Sequence, residues 1–166
     1  MDQLDEQMMA ALQKQFDRER RNQSVYFHLS LEFLRIGLPG FSAWASRQAG
    51  EEMEHAAKIG RYVADIRGGK VLTRALEPVE FEIADVRSAI ELGAAAEAET
   101  TEAILELSDL ADMTNDRGVL HFLFWFIQEQ ESSEAEFKTR LQQLDLIAGD
   151  NTAILAMDAD LAEGGG

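Results

Sequence analysis

The chain has 166 residues, of which 46% are apolar, so it can bury a sizeable core and we expect one domain spanning residues 1–166. It carries 31 acidic and 15 basic residues, a net charge of -16, which disfavours binding to nucleic-acid phosphates and anionic lipids and favours cations as partners. Cysteine is absent, which excludes disulfides, thiolate metal ligands and thiol nucleophiles.

Long stretches rich in Ala, Leu, Glu, Gln and Arg, separated by glycine and proline, predict five helices. We place these helices at about residues 5–36, 40–67, 84–112, 117–147 and 152–162. The first ends at the sequence GLPG, residues 37–40, and the second ends at the glycine pair 68–69. Residues 69–83 break the helical pattern and include Pro78, so we expect a long extended connection between the second and third helices.

Four helices of nearly thirty residues, with two short links and one long link, predict an all-α four-helix bundle. The long connection would cross the full length of this bundle, which occupies about residues 5–147, and the short fifth helix would be appended to it. No apolar run of about eighteen residues predicts a membrane helix. No secretion leader is evident either, so we expect a cytoplasmic protein with no membrane partner.

Polar residues interrupt the apolar stripe of each bundle helix near its middle. In the second helix the interruption is Glu52 and His55, within the sequence QAGEEMEHAAKI. Glu19 interrupts the stripe of the first helix, Glu97 that of the third and Gln130 that of the fourth. Because all of these residues lie at about half the length of their helices, we expect them to meet at one level of the bundle.

Carboxylates buried together need a positive partner, because an isolated buried charge costs several kcal/mol or more. No Lys or Arg lies in these stripes near that level, and one imidazolium would offset only part of the charge. One or two divalent cations are the simplest remedy, and carboxylates with an imidazole suit iron, manganese or zinc. Glu52 and His55 lie on one helical face, a spacing with which bundle helices hold metals. The alternative is a structural bundle whose interior polar groups hydrogen-bond to one another.

Several other polar residues near the stripes have two interpretations. Tyr26, one heptad after the carboxylate of the first helix, either packs in the core or, beside a metal, donates an electron or a hydrogen bond. Glu51 and Glu129 lie about 100° round their helices from a stripe residue, which by default places them on a solvated face. His28 and His121 lie away from the level of the cluster, so we expect both to be structural or exposed.

These residues lie in sequence stretches by which the chain resembles the bacterial non-haem ferritins over essentially its whole length. The most specific stretches are GEEMEHAAKI, residues 50–59, and FLFWFIQEQ, residues 122–130, with ADMTNDRG, residues 111–118, as support. The resemblance implies a ferroxidase that oxidises Fe(II) with O2 or H2O2 at a di-iron centre. It also implies a homo-oligomeric cage, in this family of twenty-four subunits, that stores ferric mineral. A di-metal oxygenase of the same bundle type is the alternative enzyme, and it has no evident use for the fifth helix.

The resemblance implies a catalytic centre of six residues, namely Glu19, Glu52, His55, Glu97, Gln130 and Tyr26. By analogy, Glu19, Glu52 and His55 would hold a first iron, and Glu52 would bridge to a second. Glu97 would hold the second iron with Gln130 nearby, and the tyrosine would lie beside the pair.

The chain departs from the family at an accessory third iron site. By resemblance this site includes Glu51 and Glu129, but Ser132 and Ser133 stand where many members have glutamates. We therefore expect at most a weak third iron, with Glu51 and Glu129 forming a path between the centre and the cavity. Met53 occupies the position of the haem-ligating methionine of bacterioferritins, but it also suits haem-free ferritins, so we expect no haem.

Overall fold

The structure is a computed structural model that describes residues 4–164. Within this range the chain forms five α-helices: α1 (Glu6–Arg35), α2 (Pro39–Arg61), α3 (Val86–Met113), α4 (Arg117–Ile147) and α5 (Asn151–Ala162). A π-helical turn over Tyr62–Ile66 extends α2. The predicted all-α bundle with one long crossover and a short fifth helix is confirmed. Along residues 4–164, none of the helices combines the length and the apolar character needed to cross a membrane.

Most of the helices begin at an aspartate whose side chain accepts a hydrogen bond from the backbone of the first turn. These capping residues are Asp5, Asp85, Asp116 and Asp150. Such caps satisfy N–H groups that have no partner inside the helix. α2 begins after Leu38 without a capping side chain of its own. The Asp158 carboxylate of α5 instead accepts a hydrogen bond from the Phe41 N–H at 2.8 Å, so α5 supplies the cap for α2.

Two apolar clusters fill the bundle. One includes Phe33, Phe41 and Ile90, and the other includes Leu12 and Ile59. Along α1, α2, α3 and α4, the buried polar residues of the helix centres lie between the members of these two clusters. The polar layer is therefore enclosed by packed side chains on both sides along the bundle.

The crossover between α2 and α3 is held by side chains of the bundle. At its start, the buried Arg67 donates two hydrogen bonds to the Asp116 carboxylate, at 2.9 and 2.6 Å. Farther along, Gln13 accepts a hydrogen bond from the Leu72 N–H at 2.7 Å and donates one to the Leu72 carbonyl at 3.0 Å. Residues 69–83 contain no helix or strand, as predicted, and these bonds satisfy part of their backbone.

α5 packs so closely on α2 that a Cβ atom at Gly40 would lie 1.7 Å from the backbone oxygen of Asp158. We predict that Gly40→Ala displaces α5, removes the Asp158 cap and lowers the free energy of unfolding by about 1–3 kcal/mol. Thermal unfolding and limited proteolysis at the α4–α5 link would measure these two effects.

Gly50→Ala is the matched control in the same helix, because a Cβ atom at Gly50 meets nothing within 4 Å. Alanine is favoured over glycine inside a helix by about 0.5–1 kcal/mol, so this variant should be as stable as the wild type or more stable. Equal stability and equal proteolysis of the two variants would contradict the close packing of α5.

Candidate metal centre

Glu19, Glu52 and His55 lie together in the buried polar layer, where they are 0%, 3% and 6% exposed. The Nδ1 atom of His55 is 3.9 Å from Glu19 Oε2 and 3.5 Å from Glu52 Oε2. α1 contributes Glu19, and α2 contributes Glu52 and His55. Because Glu52 and His55 are three residues apart, both lie on one face of α2. Each residue can offer one ligand atom, and these atoms lie within 4.8 Å of one another.

The atoms that face one another in this trio have no hydrogen-bond partner. They are Glu19 Oε2, Glu52 Oε2 and His55 Nδ1. Elsewhere in residues 4–164, the only other fully buried side-chain nitrogen or oxygen atoms without a partner are Arg18 Nε and Arg140 Nε. Buried polar atoms in folded proteins are nearly always paired, so three unpaired ligand-type atoms at these distances fit a shared divalent cation.

Burial opposes the ionised form of both carboxyls. Desolvation, together with the adjacent negative charge of Glu52, raises the pKa of Glu19 well above its ordinary value of 4.5. Desolvation, together with the negative charge of Glu97, raises the pKa of Glu52 to about 8. A bound cation would favour the carboxylate forms, so cation binding at this site should release protons.

The carboxylate of Glu97, in α3, is already hydrogen-bonded within the protein. The Tyr26 hydroxyl donates to its Oε1, and Gln130 Nε2 donates to its Oε2 at 3.1 Å. Gln130 Nε2 also lies 3.3 Å from Thr101 Oγ1. Burial and the negative charge of Glu97 raise the pKa of Tyr26 well above 10, which keeps the phenol protonated as a donor. Glu97 therefore differs from Glu19, one of whose oxygens has no partner.

The structure brings six predicted site residues into one buried layer, namely Glu19, Glu52, His55, Glu97, Gln130 and Tyr26. Their roles in binding metal stay a prediction. Glu51 and Glu129 are not in this layer: Glu51 is exposed and Glu129 is half-buried. Glu51 accepts a hydrogen bond from Gln48 Nε2 at 3.0 Å. Partial desolvation and the negative charges of Glu136 and Glu129 raise the pKa of Glu51.

Sequence reasoning missed two buried amide side chains on the same face of α1 as Glu19. Gln15 Nε2 donates to Glu19 Oε1 at 2.8 Å, and Asn22 Nδ2 donates to Thr100 Oγ1 at 2.9 Å. The signal was available, because Gln15 precedes Glu19 by four residues and Asn22 follows it by three, so all three share a helical face.

Aromatic side chains of α4 surround the imidazole of His55. The Trp125 and Phe126 rings contact it edge-on, with centroid distances of 5.5 and 6.0 Å. The other two histidines are not at the site: His28 bonds the Phe81 carbonyl at 2.8 Å and His121 is exposed, as predicted. His55 is therefore the one histidine in the buried polar layer.

The chain is similar to proteins of one family in sequence and in structure. A family model of the ferritin-like domain matches residues 9–147. The bacterial non-heme ferritin of Staphylococcus saprophyticus is 30% identical over 159 residues, which cover 96% of this chain and 95% of that protein. The bacterial non-heme ferritin of Staphylococcus aureus strain MRSA252 is 27% identical over 158 residues, 95% of each chain. A crystal structure of an open pore ferritin from Archaeoglobus fulgidus has a TM-score of 0.93 and 33% identity, covering 96% of this chain and 98% of that one.

The buried carboxyls predict that the metal-free protein becomes less stable as the pH rises. Between the ordinary pKa of 4.5 and the folded-state pKa of about 8, folded Glu52 retains a proton that the unfolded chain has released. The free energy of unfolding therefore falls across this range. Glu52→Gln keeps the size of the side chain and cannot ionise, so it should raise stability at pH 8 by on the order of 1–3 kcal/mol.

Urea unfolding with a chelator at pH 6 and pH 8 would measure this difference. The matched control is Glu54→Gln, because Glu54 is an exposed glutamate two residues farther along α2. It removes the same charge from the surface and should leave the pH dependence close to that of the wild type. An equal loss of stability between pH 6 and pH 8 in Glu52→Gln and the wild type would contradict the prediction.

Proposed function

This chain belongs to the ferritin-like domain family, and from that membership we propose that it stores iron and oxidises Fe(II) to Fe(III) at a di-iron centre. The observation that carries the proposal is the buried trio of Glu19, Glu52 and His55, whose facing atoms lack partners. Two carboxylates and an imidazole are a ligand set that suits Fe(II). A purely structural bundle would satisfy these groups internally, and the unpaired atoms argue against it. The proposed location is the cytoplasm.

We assign the first Fe(II) to Glu19, Glu52 and His55 and the second to Glu97, with Glu52 as the bridge and Gln130 nearby. The first Fe(II) displaces no protein hydrogen bond, because the facing atoms of its ligands have none. The second must compete with the bonds that Glu97 accepts from Tyr26 and Gln130. The first iron should therefore bind more tightly than the second.

Oxidation of the pair supplies two electrons, one from each Fe(II). O2 with two protons yields H2O2, whereas H2O2 with two protons yields two waters. The carboxylates of Glu19, Glu52 and Glu97 favour this step, because negative oxygens in a buried site stabilise the higher charge of Fe(III) more than that of Fe(II). Tyr26 donates a hydrogen bond to Glu97, and electron donation to the iron pair is its second proposed role.

Glu51 and Glu129 are proposed as weak cation sites on a path from the centre to the cavity. Glu51 is exposed and Glu129 is half-buried, and the negative charges of Glu136 and Glu129 that raise the pKa of Glu51 support this role. The neighbouring Ser132 and Ser133 offer neutral hydroxyls, which hold hard cations poorly. A third iron at this point should therefore be weakly bound.

The proposed assembly is a closed homo-oligomeric cage, in this family of twenty-four subunits. Exposed apolar side chains on α1 support an interface between copies: Phe27, Leu31 and Leu34 are 53%, 47% and 55% exposed. They recur at the spacing of one helical face. An apolar face of this kind on a chain that is otherwise so acidic favours contact with another protein surface.

We also propose that four apolar residues of α5 pack around a symmetry axis of the cage, namely Ile154, Leu155, Met157 and Leu161. The structure provides less apolar surface there than expected, because Leu161 is buried within the chain and Ile154 and Met157 pack against its core. Leu155 alone of the four stays open, at 59% exposure. The α1 face is therefore the larger apolar contribution to assembly.

Glu52→Ala tests the proposed centre. It removes the bridging ligand, so the initial rate of Fe(II) oxidation, followed by ferric absorbance, should fall by at least about tenfold. Glu54→Ala, an exposed change in the same helix, should oxidise Fe(II) at the wild-type rate. Wild-type oxidation by Glu52→Ala would show that the centre is assigned to the wrong residues.

The double variant Phe27→Glu/Leu31→Glu tests the α1 interface. Association would have to bury two carboxylates and remove their water. Sedimentation velocity should therefore show subunits or small oligomers in place of a large particle. Ala95→Glu/Ala98→Glu adds the same charge to exposed positions of α3 and should retain the large particle. An unchanged particle size for the α1 variant would exclude this face as an interface.

A further inference from the structure

Gln15 holds one oxygen of Glu19 inside the bundle. Its Nε2 donates to Glu19 Oε1 at 2.8 Å, and the two residues are 3% and 0% exposed. An ionised carboxylate can only accept hydrogen bonds, so the amide must present its NH2 group to it. The second oxygen, Oε2, is left without a protein partner, 3.9 Å from His55 Nδ1.

Asn22 lies one turn farther along α1, and its hydrogen bond goes to α3 instead. Its Nδ2 donates to Thr100 Oγ1 at 2.9 Å. The Thr100 hydroxyl in turn donates to the Ala96 carbonyl at 3.0 Å, which orients its oxygen as the acceptor for Asn22. Glu52 Oε2 has no partner, as in the case of Glu19.

The hydrogen bond to Glu19 is the only one that the Gln15 side chain makes within residues 4–164. Gln15 therefore links no other element of the fold, in contrast to Gln13, whose amide joins α1 to the crossover. The effect of the Gln15 amide is thus directed at one carboxylate of the trio. A carboxylate held at one oxygen is restricted in rotation, so less conformational freedom is lost when the other oxygen binds a cation.

We propose that Gln15 is a positioning residue of the metal centre, holding Glu19 Oε1 so that Oε2 is directed at a divalent cation. This inference rests on the proposed function. Partners that orient metal ligands typically contribute about 10- to 100-fold to metal affinity. Loss of the Gln15 amide should lower the affinity for the first cation by that factor, although all of the ligands of the cation remain.

The test uses Zn(II), a redox-inactive probe, and the full-length assembled protein. Gln15→Met replaces the amide with an apolar side chain of similar length. Isothermal titration calorimetry should show that the first Zn(II) per subunit binds about 10- to 100-fold more weakly. The matched control is Gln13→Met, which removes a buried amide from the same helix whose bonds go to Asp17 and Leu72. It should lower thermal stability and leave Zn(II) affinity close to that of the wild type.

A double-mutant cycle separates positioning from general destabilisation. If Gln15 acts through Glu19, Gln15→Met should change Zn(II) affinity no further in a Glu19→Ala background. An equal loss in both backgrounds would overturn the proposal. The visible absorption of bound Co(II) gives a second measurement, because a displaced Glu19 should alter the bands of Gln15→Met and not those of Gln13→Met.

Gln15→Asn, which keeps the amide but is one methylene shorter, replaces Gln15→Met if that variant does not fold. Wild-type Zn(II) affinity in a folded Gln15 variant would overturn the positioning role. If the proposed function is wrong, the outcome differs. Glu52→Ala would then bind as much Zn(II) as the wild type.

Discussion

The burial of carboxyl groups without an internal counter-charge is the constraint on which the rest of the structure depends. Within residues 4–164, Glu19, Glu52 and Glu97 form no ion pair with Lys or Arg, and desolvation raises the pKa of the first two. We expect this arrangement to lower the stability of the metal-free protein and to favour a divalent cation in the layer. The apolar clusters on both sides of the layer must offset that cost.

The buried carboxyl groups of the polar layer differ in their hydrogen bonding. Glu19 and Glu52 each have one oxygen without a partner, whereas Glu97 is bonded by Tyr26 and Gln130. α1 organises much of this difference, because Gln15 contacts Glu19 and Tyr26 contacts Glu97. One helix therefore supplies the Glu19 carboxyl, the amide that bonds it and the donor to the opposite carboxylate, so a change in the register of α1 would affect all three.

The packing of α5 supports the helix that carries the candidate site. Its Asp158 caps α2, the helix that carries Glu52 and His55, and the close approach at Gly40 leaves α5 little freedom to move. Leu161 of α5 is buried, and Ile154 and Met157 pack against the core, so α5 offers less open apolar surface than the exposed face of α1. α5 therefore contributes to the stability of the single chain.

The sequence by itself determined the five helices, the crossover and the polar residues of the buried layer, because glycine and proline breaks and 3.6-residue periodicity are local properties. Only the tertiary structure decided which atoms are satisfied: that Glu97 is bonded by Tyr26 and Gln130, and that one oxygen of Glu19 is not. It also decided that the cap of α2 comes from α5. Hydrogen bonds between helices depend on axial register and rotation to within a fraction of an ångström, and periodicity specifies a helical face only to within tens of degrees.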